Sequence, residues 1–160
     1  MSEFRIGHGY DAHRFEKGRR LVLGGVVVPA EEGLLGHSDA DVLLHAIADA
    51  ILGALGLGDI GKHFPDTSDD YKDVSSLTLL AGVREMMEKS GYTVGNIDAT
   101  LIMERPKISP YKEQMRDKIS ETLKTEKNRV NIKATTEEGL GFTGSGDGAA
   151  AHAVVLIQKK

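Results

Sequence analysis

The feature that most constrains the fold is a regular alternation of side chains near the start of the chain. Residues 4–10 alternate with a period of two, which predicts a β-strand. Because residues two apart on a strand point to the same face, Asp11 and His13 are expected side by side, whereas His8 faces away. A helix predicted to begin near Ser38 places His45 about two turns along its length.

One carboxylate and two imidazoles could hold a divalent metal ion. The chain has no Cys, so any metal must be held by His and carboxylate side chains. Three such ligands with a vacant position are typical of catalytic zinc. The alternative is that Asp11 lies on the surface beside a His13 that fills a turn. Sequence spacing alone does not show that His45 meets the strand.

The rest of the chain mixes strands and helices. Ser38 is predicted as the N-cap of the first helix, with Asp41 at its capping-box position, and glycines between 53 and 58 end it. The other elements are predicted as a strand over 20–28 with a bulge or turn, loops over 34–39 and 58–73, a helix over 76–89, a strand over 92–103, a helix from 109 to about 124, a strand over 130–135, a glycine-rich loop over 137–148 and a strand over 149–158.

This order of elements predicts an α/β (α+β) fold with a single sheet and helices packed on one face. The opposite face of the sheet is then uncovered, so we expect a homo-oligomer. A length of 160 residues suits one ordinary domain, and residues 1–160 are expected to form it.

The composition excludes several classes of function. The net charge of −4 offers no basic surface for nucleic acid, and no apolar run is long enough for a membrane span. The first residues, Met-Ser-Glu-Phe-Arg, do not resemble a signal peptide. These observations predict a cytoplasmic protein without nucleic-acid or membrane partners.

A second informative segment covers residues 133–144. It combines threonine hydroxyls, carboxylates and several glycines after a predicted strand. Glycine-rich backbone can turn its N–H groups toward an anion, and carboxylate oxygens suit Mg²⁺. A β-hairpin with a long loop is an equally good interpretation of this segment alone. Neither a Walker motif nor a Rossmann fingerprint is present.

The predicted loop over 58–73 contains three residues with more than one interpretation. Asp59 and Asp66 could each cap a following turn. Phe64 is a large apolar side chain among polar neighbours, so we expect it to cover another part of the protein. Three further histidines have no evident partner and are predicted to be structural or solvated: His8, His63 and His152.

Taken together, five segments resemble the landmarks of one enzyme family in order: 5–13, 37–41 with His45, 58–61, 64–67 and 133–144. Over nearly its whole length the chain resembles the 2-C-methyl-D-erythritol 2,4-cyclodiphosphate synthases of the non-mevalonate isoprenoid pathway. The resemblance implies a homotrimer whose sheets pack around a central axis, with active sites at subunit interfaces. It also implies a phosphorus–oxygen lyase that converts 4-diphosphocytidyl-2-C-methyl-D-erythritol 2-phosphate to the cyclic diphosphate and CMP.

The resemblance also implies roles for individual residues. Asp11, His13 and His45 would hold Zn²⁺ or another divalent cation, and Glu138 would hold the Mg²⁺ or Mn²⁺ that bridges the diphosphate. The implied catalytic residues are His37, Asp59, Thr136 and Glu138. The implied substrate-binding residues are Asp11, His13, His37, Ser38, Asp59, Ile60, Gly61, Phe64, Pro65, Asp66, Met103, Glu104, Arg105, Pro106, Lys107, Ile108, Ser109, Thr135, Thr136, Glu137, Glu138, Phe142 and Ser145.

Within that set, the methylerythritol phosphate would be held by Ser38, Asp59, Ile60, Gly61 and the loop over 64–67. Residues 103–109, with Thr135 and Thr136, would form a cytidine pocket for the neighbouring subunit's site. Ser145 departs from the family pattern, because many relatives carry an Arg there that faces the trimer axis and can hold an isoprenoid diphosphate. The expectation of such a regulatory site is therefore not carried over to this chain.

Two other functions remain open at the level of sequence. A metal-dependent phosphohydrolase could use the same three ligands with water as the nucleophile, and it would release a linear phosphate instead of a ring. A non-catalytic nucleotide- or metal-binding module is the other alternative. Bare binding does not require both Asp59 and Glu138, which favours the enzyme.

Overall fold

The protein is described here by a computed structural model covering residues 3–160. Its strands are β1 (Phe4–Lys17), β2 (Leu21–Leu23), β3 (Val26–Val28), β4 (Glu32–Leu34), β5 (Tyr92–Ile102), β6 (Val130–Thr135) and β7 (Gly148–Lys159). Its α-helices are α1 (Val42–Leu55), α2 (Ile60–His63), α3 (Ser76–Lys89), α4 (Lys112–Leu123) and α5 (Gly141–Gly144). Short 3₁₀ turns cover Asp69–Tyr71, Ser109–Tyr111 and Lys127–Arg129.

Five strands form one sheet in the order β4-β1-β7-β5-β6, and β2 pairs with β3 in a separate hairpin. Strand β7 is antiparallel to β1 and β5, whereas β5 and β6 are parallel. The carboxyl ends of β1, β5 and β6 therefore lie at one edge of the sheet, beside the start of β7. The predicted α/β sheet with helices on one face is confirmed.

The two faces of the sheet differ in burial. Gly7 and Gly9 on β1 are buried beneath α1, whereas Ile6 and Val154 on the opposite face are 73% and 49% exposed. Helices α1, α3 and α4 all lie on the buried side, where their apolar side chains join one core cluster. No helix within residues 3–160 is long and apolar enough to cross a lipid bilayer.

The predicted start of the first helix is corrected by the structure. Asp41, not Ser38, is the N-cap of α1, and its carboxylate accepts a hydrogen bond from the Leu44 N–H. The same carboxylate accepts hydrogen bonds from the N–H groups of Gly24 and Gly25, at 2.9 and 2.7 Å. A carboxylate can satisfy three donors at once, which a serine hydroxyl at position 38 cannot.

Burial raises the pKa of Asp41 to about 6, with the nearby Asp39 acting in the same direction and the three N–H groups opposing both. The Asp41 carboxylate thereby joins the β2–β3 turn to the start of α1. Of the bulge or turn predicted within 20–28, the structure has the turn, between β2 and β3. The two glycines, at φ 59° and 77°, direct their N–H groups to Asp41.

Three other predictions of element boundaries were wrong in detail. The predicted polar loop over 58–73 contains α2 and a 3₁₀ turn, and the glycine-rich loop over 137–148 contains α5. Strand β4, which pairs with the end of β1, falls partly where a loop was predicted. Each of these elements has only three or four residues, too few to display a helix or strand period in the sequence.

Helix α1 packs unusually close to β1. A Cβ atom added at Gly9 would lie 1.8 Å from the carbonyl oxygen of Ala46, and one at Gly7 would lie 1.8 Å from that of Ala50. These distances are far below van der Waals contact, so any side chain at either position would push the helix away from the strand. The glycines set the separation between α1 and the sheet.

We expect Gly9→Ala to destabilise the protein by about 1–3 kcal/mol, because the added methyl group displaces α1 from β1. Gly53→Ala is the matched control: its added Cβ meets only the His8 carbonyl, at 3.9 Å, and alanine is the better helix former. That variant should be stabilised by up to about 1 kcal/mol. Urea unfolding followed by circular dichroism measures both, and equal stability of Gly9→Ala and wild type would contradict the packing described.

Candidate functional site

Three side chains predicted as metal ligands converge where α1 begins above β1. The Asp11 Oδ2 atom lies 2.8 Å from His13 Nε2 and 2.9 Å from His45 Nδ1. The two ring nitrogens are 3.3 Å apart. All three ligand atoms fall within 4.8 Å of one another, which is close enough to bind one ion. The prediction placed His45 about two turns into the helix. Since α1 begins at Val42, His45 instead lies in its first turn.

The hydrogen bond between His13 and the Leu35 carbonyl determines which nitrogen of the His13 ring carries the proton. His13 Nδ1 lies 2.9 Å from the carbonyl oxygen of Leu35, which can only accept, so Nδ1 carries the proton. Its Nε2 lone pair therefore points at Asp11 and His45. Lone pairs converging on a carboxylate require a positive charge between them, either a proton or a cation. The donor set of two nitrogens and one oxygen fits a divalent ion such as zinc.

The electrostatics of the three residues agree with this arrangement. Burial by itself would raise the pKa of Asp11, but hydrogen bonds and attraction from His13 and His45 outweigh it and lower the pKa to about 2. Burial opposes the charged form of His13, yet the Asp11 carboxylate outweighs it and raises the His13 pKa above its ordinary value. Asp11 is thus anionic throughout the physiological range.

A second group of predicted residues lines a cavity of about 220 Å³. It lies between the chain that follows β5 and the end of β6, and its walls include Met103, Glu104, Pro106, Lys107, Ile108, Ser109, Thr135 and Thr136. Arg105 instead faces the adjoining cavity beside Gly146. The segments predicted to bind cytidine are therefore brought together by the parallel pairing of β5 and β6.

Glu138 lies on a separate, open concavity, together with Thr136, Glu137, Leu140 and Gly141. Its backbone has φ 53°, which turns the chain immediately after β6. The Glu137 carboxylate accepts a hydrogen bond from the Thr143 hydroxyl, so this side chain braces the loop around α5. The remaining loop residues stay local: Ser145 hydrogen-bonds Phe142 and Asp147, and Phe142 lines a cavity that also contains His13.

Asp11, His13 and His45 together are called the metal group below. This group and the cavity between β5 and β6 are at the same edge of the sheet but far apart within one chain. His13 pairs with Ala149 of β7, Ala150 with Ile102 of β5, and Ile102 with Thr135 of β6. From β1 to β6 this row crosses three distances between neighbouring strands. His13 and Thr135 are therefore separated by roughly 14 Å. One chain therefore presents two separated groups of predicted site residues.

The loop between α1 and α3 carries another part of the predicted set. Asp59 is the N-cap of α2 and accepts a hydrogen bond from Lys62 N–H at 3.0 Å, so its capping interpretation is confirmed. Ile60 and Gly61 follow it in α2, and Pro65 and Asp66 come directly after that helix. Phe64 contacts Tyr71 edge-on and packs against the core, as expected of a covering side chain.

Two residues predicted from the family pattern connect this loop to the metal group. His37 Nε2 donates to the Ser68 carbonyl at 2.9 Å, and the Asp73 N–H donates to the His37 carbonyl at 2.9 Å. Ser38 is buried, with its hydroxyl 3.2 Å from His45 Nε2. His37 therefore contacts the segment that follows α2, and the next residue, Ser38, contacts His45.

Three histidines without an evident partner in the sequence have one in the structure. His8 Nε2 is 2.9 Å from His152 Nδ1 on the exposed face of the sheet, and the Tyr10 ring lies 4.8 Å from the His152 ring. His63 Nε2 donates to the Leu57 carbonyl at 2.8 Å. The alternation of β1 places His8 on that face, but only the register of β1 against β7 identifies its partner.

Comparison with known proteins identifies the family. The family model described as YgbB matches residues 4–158. The 2-C-methyl-D-erythritol 2,4-cyclodiphosphate synthase of Pelobacter propionicus is 62% identical over 153 residues, covering 96% of this chain and 97% of that protein. The synthase of Geobacillus sp. is 58% identical over 157 residues, with coverage of 98% and 99%.

Solved structures agree with this match. The chain superimposes on the bifunctional IspDF of Campylobacter jejuni with a TM-score of 0.95 and 40% identity, covering 99% of this chain and 43% of that longer chain. It superimposes on Plasmodium falciparum IspF in complex with CDP with a TM-score of 0.87 and 34% identity, over 100% of this chain and 99% of the other.

Fold and site together define an α/β protein with a group of Asp and His side chains able to hold a divalent cation. The chain belongs to the YgbB family, which confirms the resemblance seen in its sequence.

With Zn²⁺ as the probe, we expect the affinity of the group formed by Asp11, His13 and His45 for a divalent cation to fall as the pH decreases. Zinc binds neutral imidazole, so protons compete with it for the Nε2 atom of His13. Because the pKa of His13 is raised, this competition begins at a pH above the ordinary pKa of histidine. Below that pKa the apparent dissociation constant should rise about tenfold per pH unit for one displaced proton. Asp11, with a pKa of about 2, contributes nothing to this dependence near neutral pH.

The measurement is a competition titration with a chromophoric zinc chelator from mildly acidic to mildly alkaline pH. His63→Ala is the control, because that ring is bound to a backbone carbonyl away from the three ligands and its removal should preserve the profile. An affinity that does not change with pH would contradict binding at His13.

Proposed function

We propose that this protein is a 2-C-methyl-D-erythritol 2,4-cyclodiphosphate synthase that releases CMP during isopentenyl diphosphate biosynthesis. The observation that carries the proposal is the convergence of Asp11, His13 and His45 on one point, in a chain that is 62% identical to a relative of that name. The substrate is 4-diphosphocytidyl-2-C-methyl-D-erythritol 2-phosphate, as in the sequence analysis.

The reaction is an intramolecular phosphoryl transfer. An oxygen of the 2-phosphate forms a bond to the β-phosphorus, and the bond from that phosphorus to the bridging oxygen breaks. The electron pair stays on the departing α-phosphate, which leaves as CMP. The attacking phosphate is already anionic near neutral pH, so the protein needs no strong general base. Its task is to position the two phosphates and neutralise their charge.

The side chains found at the metal group suit that task. Asp11, His13 and His45 would hold Zn²⁺, which when bound supplies positive charge to a phosphate oxygen. Glu138 would hold Mg²⁺ or Mn²⁺, which when bound would neutralise negative charge on the diphosphate, since a carboxylate on an open concavity is a suitable ligand for either ion. His37 and Thr136 would donate hydrogen bonds to the reacting phosphate.

The remaining residues would hold the two ends of the substrate. Ser38 and the loop from Asp59 to Asp66 would bind the methylerythritol phosphate. Asp59 uses Oδ1 as a helix cap, which leaves Oδ2 to accept a hydrogen bond from a substrate hydroxyl. The cavity between β5 and β6 would receive cytidine, with Lys107 toward the ribose and phosphates.

We also propose a homotrimer whose active sites are completed between subunits. The two groups of site residues are roughly 14 Å apart across the sheet in one chain, too far for both to contact one diphosphate linkage. The exposed sheet face carries apolar side chains such as Ile6 and Val154, which a neighbouring sheet would cover. Packing around a three-fold axis would bring the metal group of one chain to the cytidine cavity of the next.

The two alternative functions predict different products. A phosphohydrolase would release a linear phosphate from the same substrate, and a non-catalytic nucleotide-binding module would release nothing. Phosphorus NMR of the reaction mixture, with CMP measured in parallel, distinguishes all three. The cyclic diphosphate in equal amount to CMP is the expected result.

Glu138→Gln should lower turnover by about 10²–10³, because glutamine keeps the shape of the side chain but loses the charge that holds the second cation between two phosphates. Zinc content should be unchanged, since the three zinc ligands lie on β1 and α1. CMP release is measured against Mg²⁺ or Mn²⁺ concentration, alongside metal analysis. Glu121→Gln changes an exposed side chain on α4. It is the control and should behave as wild type.

Unchanged turnover with a normal response to Mg²⁺ would remove Glu138 from the proposed mechanism. Loss of zinc from the same variant would instead show that the two metals are assigned to the wrong ligands.

Two inactive variants should restore activity when combined in one trimer. His45→Ala removes a metal ligand, whereas Lys107→Glu places a negative charge beside the cytidine cavity. Purification on both tags keeps only trimers that contain both chains. In each of these, one of the three sites combines the intact metal ligands of one chain with the intact cytidine cavity of its neighbour, so about one third of the wild-type activity should be recovered. Co-expression with two different tags, double purification and a CMP assay measure the recovered fraction.

Trimers that carry only one of the two variants are the control and should stay inactive. A fully active monomer in analytical ultracentrifugation, or mixed oligomers without recovered activity, would contradict a site shared between subunits.

A further inference from the structure

The outer nitrogen of His45 faces two serine hydroxyls that have different surroundings. His45 Nε2 lies 2.9 Å from Ser76 Oγ and 3.2 Å from Ser38 Oγ. Ser76 is 1% exposed and is the first residue of α3, directly after the N-cap Ser75. Its contact with His45 joins the start of α3 to a side chain of the metal group on α1.

The direction of these hydrogen bonds is set by Asp39. One oxygen of its carboxylate accepts the Ser76 N–H at 3.0 Å, and the other accepts the Asp41 N–H at 3.2 Å. The Ser76 hydroxyl also contacts Asp39 Oδ1. An ionised carboxylate only accepts, so the Ser76 hydroxyl donates its single proton to Asp39. A lone pair of Ser76 Oγ is then left to accept a proton from His45 Nε2.

We propose that Ser76 and Asp39 form a hydrogen-bonded relay that holds His45 as the Nε2–H tautomer and thereby sets the affinity of the group for a divalent cation. With its proton on Nε2, His45 presents the Nδ1 lone pair toward Asp11 and His13. The Asp39 charge, transmitted through the hydroxyl, makes that nitrogen a stronger ligand. Both are positioning residues, because neither lies among the ligand atoms.

The relay also ties the metal group to the loop proposed to bind substrate. The Asp39 N–H donates to the Val74 carbonyl at 3.4 Å, and His37 is bonded to Ser68 and Asp73. Residues 37–39 therefore contact both ends of the 68–76 segment while Ser76 contacts His45. Orientation of the His45 ring and placement of this segment depend on the same few hydrogen bonds.

The inference rests on the proposed metal site, and its experiment uses Zn²⁺ itself as the probe. Ser76→Ala should raise the zinc dissociation constant by about 10–100-fold, the usual effect of removing such an outer partner. Turnover at saturating zinc should recover most of the wild-type value, so the loss appears as a higher zinc requirement. Asp39→Asn should also raise the zinc dissociation constant. Its amide N–H₂ group cannot accept the hydrogen bonds that the carboxylate oxygen in the same position accepts in the wild type.

Ser75→Ala is the matched control. It removes a hydroxyl from the neighbouring residue at the same helix start, where the hydroxyl of the exposed Ser75 accepts a hydrogen bond from the Leu77 N–H. It should weaken the α3 cap while leaving the zinc dissociation constant within about twofold of wild type. An equal loss of zinc affinity in Ser75→Ala would overturn the proposal in favour of simple unravelling of α3.

The tautomer itself gives a second readout, independent of whether the variants fold. Long-range ¹H–¹⁵N NMR of the zinc-free wild-type protein should show the His45 proton on Nε2, and Ser76→Ala should add an Nδ1–H population. A wild-type proton on Nδ1 would overturn the relay. Wild-type protein with the Nε2–H tautomer but no zinc binding would refute the metal site and with it the relay's role in metal affinity, while leaving the hydrogen-bond assignment standing.

Discussion

The close packing of α1 on β1 is the constraint on which the rest of the structure depends. Gly7 and Gly9 allow the carbonyl groups of Ala50 and Ala46 to approach the strand more closely than any side chain would permit. His45, which directly precedes Ala46 in the helix, is thereby placed beside Asp11 and His13. A three-residue group with atoms within 4.8 Å is possible only because two glycines bring a helix backbone against the sheet.

The same short stretch of chain supplies the charges and the hydrogen bonds that organise the surrounding loops. Asp39 holds the start of α3, and Asp41 holds the start of α1 together with the β2–β3 turn. Both carboxylates accept backbone N–H groups from separate elements, so each joins segments that are distant in the sequence. Their closeness has a cost, since Asp39 contributes to raising the pKa of the buried Asp41.

The sheet explains why one chain presents only parts of the proposed active site. Its strand order sends β1, β5 and β6 in the same direction, so their carboxyl ends carry the two groups of predicted residues along one edge. The spacing between strands keeps His13 and Thr135 apart, and no side chain bridges three strands. The exposed apolar face on the other side of the sheet offers the surface through which the proposed neighbours would complete each site.

The amino-acid sequence by itself determined the longer elements, the one-sided sheet and the family, because these follow from local periodicity and from motifs such as 5–13 and 37–41. It also identified Asp11, His13 and His45 as candidates, since residue type and strand alternation are local properties. Only the tertiary structure decided that His45 meets the strand, that Asp41 caps α1, that His8 pairs with His152, and that Ser76 contacts His45. The Asp41 cap reaches Leu44, three positions away, but the contacts of His45 and His8 join residues between 31 and 144 positions apart. Their partners depend on strand register and helix packing, which no local pattern specifies.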